Sequence, residues 1–198
     1  GGTMPVTLYY YPREDGEKIQ KAAKEVVQML ETFSRPDVYG LYPFADEKYA
    51  VTQWEVPWAM EQQTVSGQYG FEGSGTTCHE LAHQWWGDMV TCATWADLWL
   101  NEGFATFSVA LYQEKRPGGT YADYLKSMQE RLPKTEKKPD FSGSVYTYDL
   151  SDVDVVFDGR LVYNKGAWVV GMLRWMLGDE AFFDAIAAYR NAYEGSHA

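Results

Sequence analysis

The chain contains three histidines, and two of them stand four positions apart in His79-Glu80-Leu81-Ala82-His83. On a helix, residues i and i+4 share a face. The two imidazoles can then meet one ion, at roughly 2.0–2.1 Å each for zinc. Glu80 is rotated about 100° from His79 around the helix, so it can reach a water on that ion without occupying the ion itself. Such a pattern also arises by chance on polar helix faces. Here it lies beside Leu81, Ala82, Trp85 and Trp86, where an ionisable group needs a partner or a metal, and the remaining histidine is His197 near the far end. A further ligand is at hand in Glu102, nineteen positions after His83 in the largely apolar stretch 99–105. A carboxylate buried there is costly unless neutralised. The alternative is a buried ion pair, but no Lys or Arg is nearby in sequence. Two histidines and one glutamate leave the fourth position of a zinc ion open to water, the mark of a catalytic rather than a structural site.

Helices must carry these groups. Residues 76–86 read as the metal helix, with Gly87 where a C-cap glycine belongs. Thr94-Trp95-Ala96-Asp97 fits a loose capping box and starts a second helix running to about Glu114. The hairpin between them brings Glu102 to the same ion, and Gly103 lets its backbone pack close to the metal helix. Upstream, residues 6–11 read as a strand. Residues 15–33 form an amphipathic helix through Ile19, Ala22, Val26, Leu30 and Phe33. Residues 49–52 are strand-like, and Gly67, Gly70, Gly73 and Gly75 mark a flexible loop. Downstream, Thr120-Tyr121-Ala122-Asp123 repeats the capping pattern before Leu125, Met128 and Leu132. Residues 133–160 read as a long polar loop of the kind that is functional or disordered. Residues 163–177 and 179–193 read as two helices split by Gly178. Strands first, then helices, indicates an α+β fold. The expectation is one domain over 1–198, with a sheet-rich lobe over about 1–75 and a helical lobe over about 76–198.

The run from His79 to Phe107, HELAHQWWGDMVTCATWADLWLNEGFATF, resembles the gluzincin metallopeptidases and, more narrowly, the aminopeptidase N family. That family has HExxH, eighteen intervening residues, then the glutamate of an Asn-Glu-Gly-Phe segment, here Asn101-Glu102-Gly103-Phe104. Trp58-Ala59-Met60-Glu61-Gln62 is similar to the family's Gly-x-Met-Glu-Asn, with Trp58 and Gln62 departing from it. Tyr163-Asn164-Lys165-Gly166 is similar to its tyrosine ahead of a Lys-Gly pair. Seven positions after Glu102, where family members often have an acid, stands Val109.

The resemblance implies a thermolysin-like zincin catalytic domain, with a mixed β-sheet lobe, a helical lobe and the active site between them. It implies one Zn2+ on His79, His83 and Glu102, with Glu80 as general base and Tyr163 stabilising the tetrahedral intermediate. Glu61, with Ala59 and Met60, would grip the free α-amine of a peptide substrate. The implied reaction is hydrolysis of the N-terminal peptide bond. A zinc endopeptidase, an epoxide hydrolase on the same site, and a non-catalytic metal-binding module that interacts with peptides are the alternatives. Family members also carry a β domain before this region and a helical domain after it.

The composition agrees. Apolar residues make up 45% of the chain, enough for a sizeable core, and the 16% of aromatics read first as core packing. A net charge of −11 without a basic stripe argues against nucleic acid and anionic membranes as partners. No run of eighteen apolar residues is present to insert in a membrane, and residues 1–5 lack the features of a signal peptide. Cys78 and Cys92 make no disulfide framework. Cys78 points about 100° away from His79 and reads as a core residue. Compartment, preferred N-terminal residue and oligomeric state are not encoded in these features.

Overall fold

In the computed structural model, which describes residues 3–71, 74–132 and 141–198, strands β1 (Val6–Tyr9), β2 (Tyr49–Gln53) and β3 (Val65–Gln68) form one sheet in that order. The strands pair parallel. The antiparallel contribution to the expected mixed sheet is a single bridge, Met60 with Gly67. β1 stops short of residue 11 because the Tyr11 N–H donates to the Gln53 side chain, at 3.1 Å, instead of to a strand. Gly67 belongs to β3 and not to a loop. A Cβ there would meet the Trp54 indole at 2.5 Å, so glycine lets that ring lie on the strand. Gly73 lies outside the described residues.

Helix α1 (Gly16–Phe33) starts at Asp15, whose carboxylate accepts the Glu17 N–H at 2.8 Å. It buries Ile19, Val26, Met29, Leu30 and Phe33 against a core that Trp85, Trp86, Phe107, Leu111 and Phe182 also enter. Each such side chain contributes roughly 1.5–3 kcal/mol by leaving water. Helix α2 (Ser74–Ala82) ends earlier than residue 86. His83 keeps one helical bond, its N–H to the His79 carbonyl at 3.2 Å, and the chain then tightens through Trp85 N–H to Ala82 O. The turn carries both indoles into the core, and Gly87, at φ +143°, lies in it ahead of the short strand β4 (Val90–Thr91).

Thr94 does not cap α3. Its hydroxyl bonds the Asp97 carboxylate at 2.7 Å, and a 3-10 turn over Trp95–Asp97 precedes α3 (Trp99–Lys115). The box at Thr120 is complete and opens α4 (Tyr121–Gln129). Of the expected loop, residues 133–140 lie outside the described residues. The rest holds a short helix, α5 (Val153–Val156), and a π-helical stretch over Gly159–Lys165 that runs into α6 (Gly166–Leu177). Gly178, at φ +77°, then separates α6 from α7 (Asp179–Tyr193), and β5 (Ser196–His197) pairs with β4. Gly103 faces α6 and not the metal helix. A Cβ there would meet the Gly166 carbonyl carbon at 2.8 Å, so α3 and α6 cross glycine to glycine. Both cysteines are free. Among the described residues no helix is long and apolar enough to cross a membrane.

Candidate metal centre and active site

Helices α2 and α3 lie side by side, and the side chains they turn toward each other include His79 and Glu102. The Nε2 atoms of His79 and His83 are 3.0 Å apart, and Glu102 Oε2 lies 3.0 Å from the first and 3.2 Å from the second. A tetrahedral zinc ion with bonds of roughly 2.0–2.1 Å separates its ligands by about 3.3–3.4 Å. The three donors therefore fit such an ion with a few tenths of an ångström of relaxation. His83 Nδ1 lies 2.9 Å from the Trp86 carbonyl, which accepts a proton from it and thereby turns the Nε2 lone pair to the centre of the trio. His79 Nδ1 lies 3.5 Å from the Thr106 hydroxyl, one helical turn beyond Glu102 on α3.

The electrostatics fit a cation as well. Burial alone would raise the Glu102 carboxyl, yet the two imidazoles hold it well below the usual carboxylate range. Burial would likewise lower His83, but Glu102, Glu61 and Glu80 hold it well above the imidazole range, while burial lowers His79. Glu80, only 6% exposed, is pushed up to about 8 by burial first, with Glu61 and Glu102 adding to the shift. Glu61, Glu80 and His83 bring one ligand atom each within 4.8 Å of one another, so Glu80 flanks the trio from the side of Glu61.

Glu61 reaches the site from an irregular segment pinned at both ends. Met60 exchanges two backbone bonds with Gly67, at 2.9 and 2.8 Å. On the other side the Glu61 carbonyl accepts from Gln84 Nε2 at 3.2 Å. Gln84, fully buried, also donates to Asp88 at 2.6 Å, and its carbonyl accepts from Thr64 N–H at 2.8 Å and from the Tyr42 hydroxyl at 3.2 Å. Thr64 sits at φ +65°, a conformation that costs a non-glycine residue of order 1–3 kcal/mol and persists only where the surroundings enforce it. Gln84, Asp88 and Thr106 are not among the residues that the sequence singles out. The available signal was a glutamine inside the apolar run Leu81–Trp86.

Tyr163 lies in the π-helical stretch, where Asp158 ties down the N–H groups of Arg160 and Leu161. Its ring stacks on His79, with centroids 5.9 Å apart. Burial, then Glu102, Glu61 and Glu80, push its hydroxyl above the ordinary phenol range, so it holds its proton and can donate it in a hydrogen bond. His79, Glu80, His83, Glu102, Glu61, Ala59 and Tyr163 line a cavity of about 600 Å³, with Trp58 at its edge, its side chain 61% exposed. Met60 does not line it. Its side chain faces an adjoining cavity of about 490 Å³ that also takes in Ala59, Glu61, Trp95 and Phe157.

Residues 50–198 match the model of the peptidase family M1 domain. The chain is 37% identical to "Aminopeptidase N" of Streptomyces lividans and 34% identical to "Probable aminopeptidase 2" of Sulfurisphaera tokodaii, in each case over 96% of this chain and 24% of the relative. It thus spans about a quarter of the length of these relatives. Among solved structures it is similar to the M1 zinc metallopeptidase from Deinococcus radiodurans, with a TM-score of 0.71 and 29% identity over 96% of this chain and 40% of that one. Yeast LTA4 hydrolase, at 20% identity and a TM-score of 0.70 over 91% of this chain and 31% of that one, shares the fold. With residues 50–198 matched by the family model, the chain belongs to peptidase family M1.

Proposed function

We propose that this chain is the catalytic domain of a zinc-dependent aminopeptidase that removes the N-terminal residue of peptides. The observation that carries the reading is the triangle of His79, His83 and Glu102 donors, 3.0–3.2 Å on a side, with Glu80 and Glu61 both within reach of its edge. Zinc bound there supplies Lewis acidity to the attacking water and the scissile carbonyl.

The protein groups do the rest. Glu80 accepts the proton of the attacking water and returns it to the leaving amine. Its elevated proton affinity suits both halves of that task, and a cation in the trio tempers it. Tyr163, kept protonated by burial and by the carboxylates around it, donates to the oxyanion as charge develops there. Glu61 pairs with the substrate ammonium and so limits cleavage to one residue from the end. We read the chain as a single domain, with the site between a sheet-rich lobe over about 1–75 that supplies Glu61 and a helical lobe over about 76–198 that supplies the metal ligands. The greater length of the relatives supports a parent with flanking β and helical domains.

The test is turnover of aminoacyl anilides and free-amine peptides by the full-length parent. Glu80→Gln keeps its zinc and loses turnover by about 10²–10⁴-fold; unchanged turnover removes Glu80 as the base. Glu61→Ala weakens free-amine substrates, and internal cleavage of amine-blocked peptides by the native enzyme would instead favour the endopeptidase reading.

A further inference from the structure

The cavity continues past the metal ligands, away from Glu61. Along α3 the wall passes from Glu102 to Val109, and along α2 from His79 to Thr76 and Gly75, one turn nearer the N-terminus of that helix. Glu61 stands at the opposite end, its carboxylate 4.0 Å from His83. The wall also includes Arg131, two residues past the end of α4 and within electrostatic reach of Cys78 on α2.

Arg131 is short of acceptors. Its Nη1 donates back to Ser127, to the carbonyl at 2.5 Å and to the hydroxyl at 3.0 Å. Its Nε is buried with no acceptor among the described residues. No carboxylate among the described residues forms an ion pair with it; burial lowers its proton affinity, and neighbouring Glu130 offsets only part of that by its charge. Val109, which lines the same cavity, adds no charge to it. A desolvated arginine at the mouth of a peptide cleft selects for a planar anion.

We propose that Arg131 is a specificity residue that takes a carboxylate on the leaving-group side of the scissile bond; the orientation rests on the aminopeptidase reading, in which Glu61 holds the amine. The rise of α3 puts Val109 about 10 Å beyond Glu102. An extended peptide covers about 3.3–3.6 Å per residue. Two residues beyond the scissile carbonyl therefore bring either the C-terminal carboxylate of a tripeptide or an acidic side chain to the guanidinium. Both sources present the same chemistry, and the enzyme would favour short peptides or acidic second and third residues.

The experiment compares kcat/KM ratios in the full-length enzyme. Ala-Ala-Ala is set against its C-terminal amide, and Ala-Glu-Glu-amide against Ala-Gln-Gln-amide. At least one acid-to-neutral ratio is expected to reach about ten-fold in the native protein, the size of a charge-assisted hydrogen bond. It should fall to near one in Arg131→Met and recover in part in Arg131→Lys. The pair that responds identifies the carboxylate. Native ratios below about two-fold in both pairs, or a ratio that survives in Arg131→Met, would overturn the proposal. The same peptides titrated by calorimetry into Glu80→Gln read the subsite without turnover. Acid-over-neutral binding that disappears with Arg131→Met supports the subsite even if the native protein hydrolyses none of them, a result that would sink the aminopeptidase reading alone. Equal binding of acid and amide overturns the subsite.

Discussion

The charge balance of the trio sets how it takes up a cation. Glu102 is held ionised by the two imidazoles, and His83 is held protonated by Glu102, Glu61 and Glu80 against the opposing effect of burial. Zinc needs the Nε2 lone pair of His83, so binding must displace that proton. The sign follows. Between the ordinary imidazole pKa, about 6.5, and the raised value, the apo site carries one more proton than the loaded site, and apparent affinity rises with pH by about ten-fold per unit. Calorimetric titration of zinc in two buffers of different ionisation enthalpy should show at least one proton released per ion at pH 7–8, with Glu80, raised to about 8, adding to the release. Zero release would mean that His83 is neutral beforehand. The ligands themselves were legible because spacing and burial cost act on residues with their own chemistry. Gln84 was not, since a neutral amide reveals its worth only through partners far away in sequence, at Tyr42, Glu61 and Thr64.

Between elements, Gln84 is the joint that ties the turn after α2 to the segment bearing Glu61. Gln84→Met keeps the volume but strands the Thr64 N–H, at a cost of about 1–3 kcal/mol, and releases the Glu61 carbonyl. The expected outcome is a raised KM for free-amine substrates with zinc content unchanged, because His79 and Glu102 sit on α2 and α3 and His83, in the turn, keeps its own bond to the Trp86 carbonyl. A loss of zinc in step with activity would show that the joint supports the metal helix instead. The second joint is the glycine crossing of α3 and α6. Gly103→Ala forces the backbones apart, costs about 1–3 kcal/mol, and shifts Glu102, the preceding residue; metal content measured after dialysis should fall. The helical periods, the Thr120 cap and the Gly178 break could be read locally, because each depends on neighbours within a few residues. The early end of α2, the 3-10 entry to α3 and the π-helical stretch at Tyr163 could not. Each involves tertiary contacts: the burial of both Trp85 and Trp86, the Thr147 N–H donating to the Ala96 carbonyl in the 3-10 turn, and the stacking of Tyr163 on His79.

At the scale of the whole molecule, the metal helix is part of one core. Leu81 and Ala82 from α2, Phe104 and Ala105 from α3, Phe33 from α1, Tyr49 and Val51 from β2, Ala167 from α6 and Phe182 from α7 share a single apolar cluster. The trio therefore joins α3 to α2 and the turn that follows it, within that shared cluster. An ion bound to the native state alone stabilises it by about 4 kcal/mol at a thousand times its dissociation constant. For a chain of 150–250 residues each kcal/mol moves the melting point by about 2–4 °C. Chelation should thus lower the melting temperature of this chain by roughly 8–16 °C while leaving a single transition, because the cluster unfolds as a unit. Glu102→Ala should start near the chelated value and gain nothing from added zinc. Scanning calorimetry with and without a chelator decides the matter: two separated transitions after chelation would show that the sheet side holds together without the metal helices, and an unmoved single transition would show that the trio contributes no binding energy to the fold.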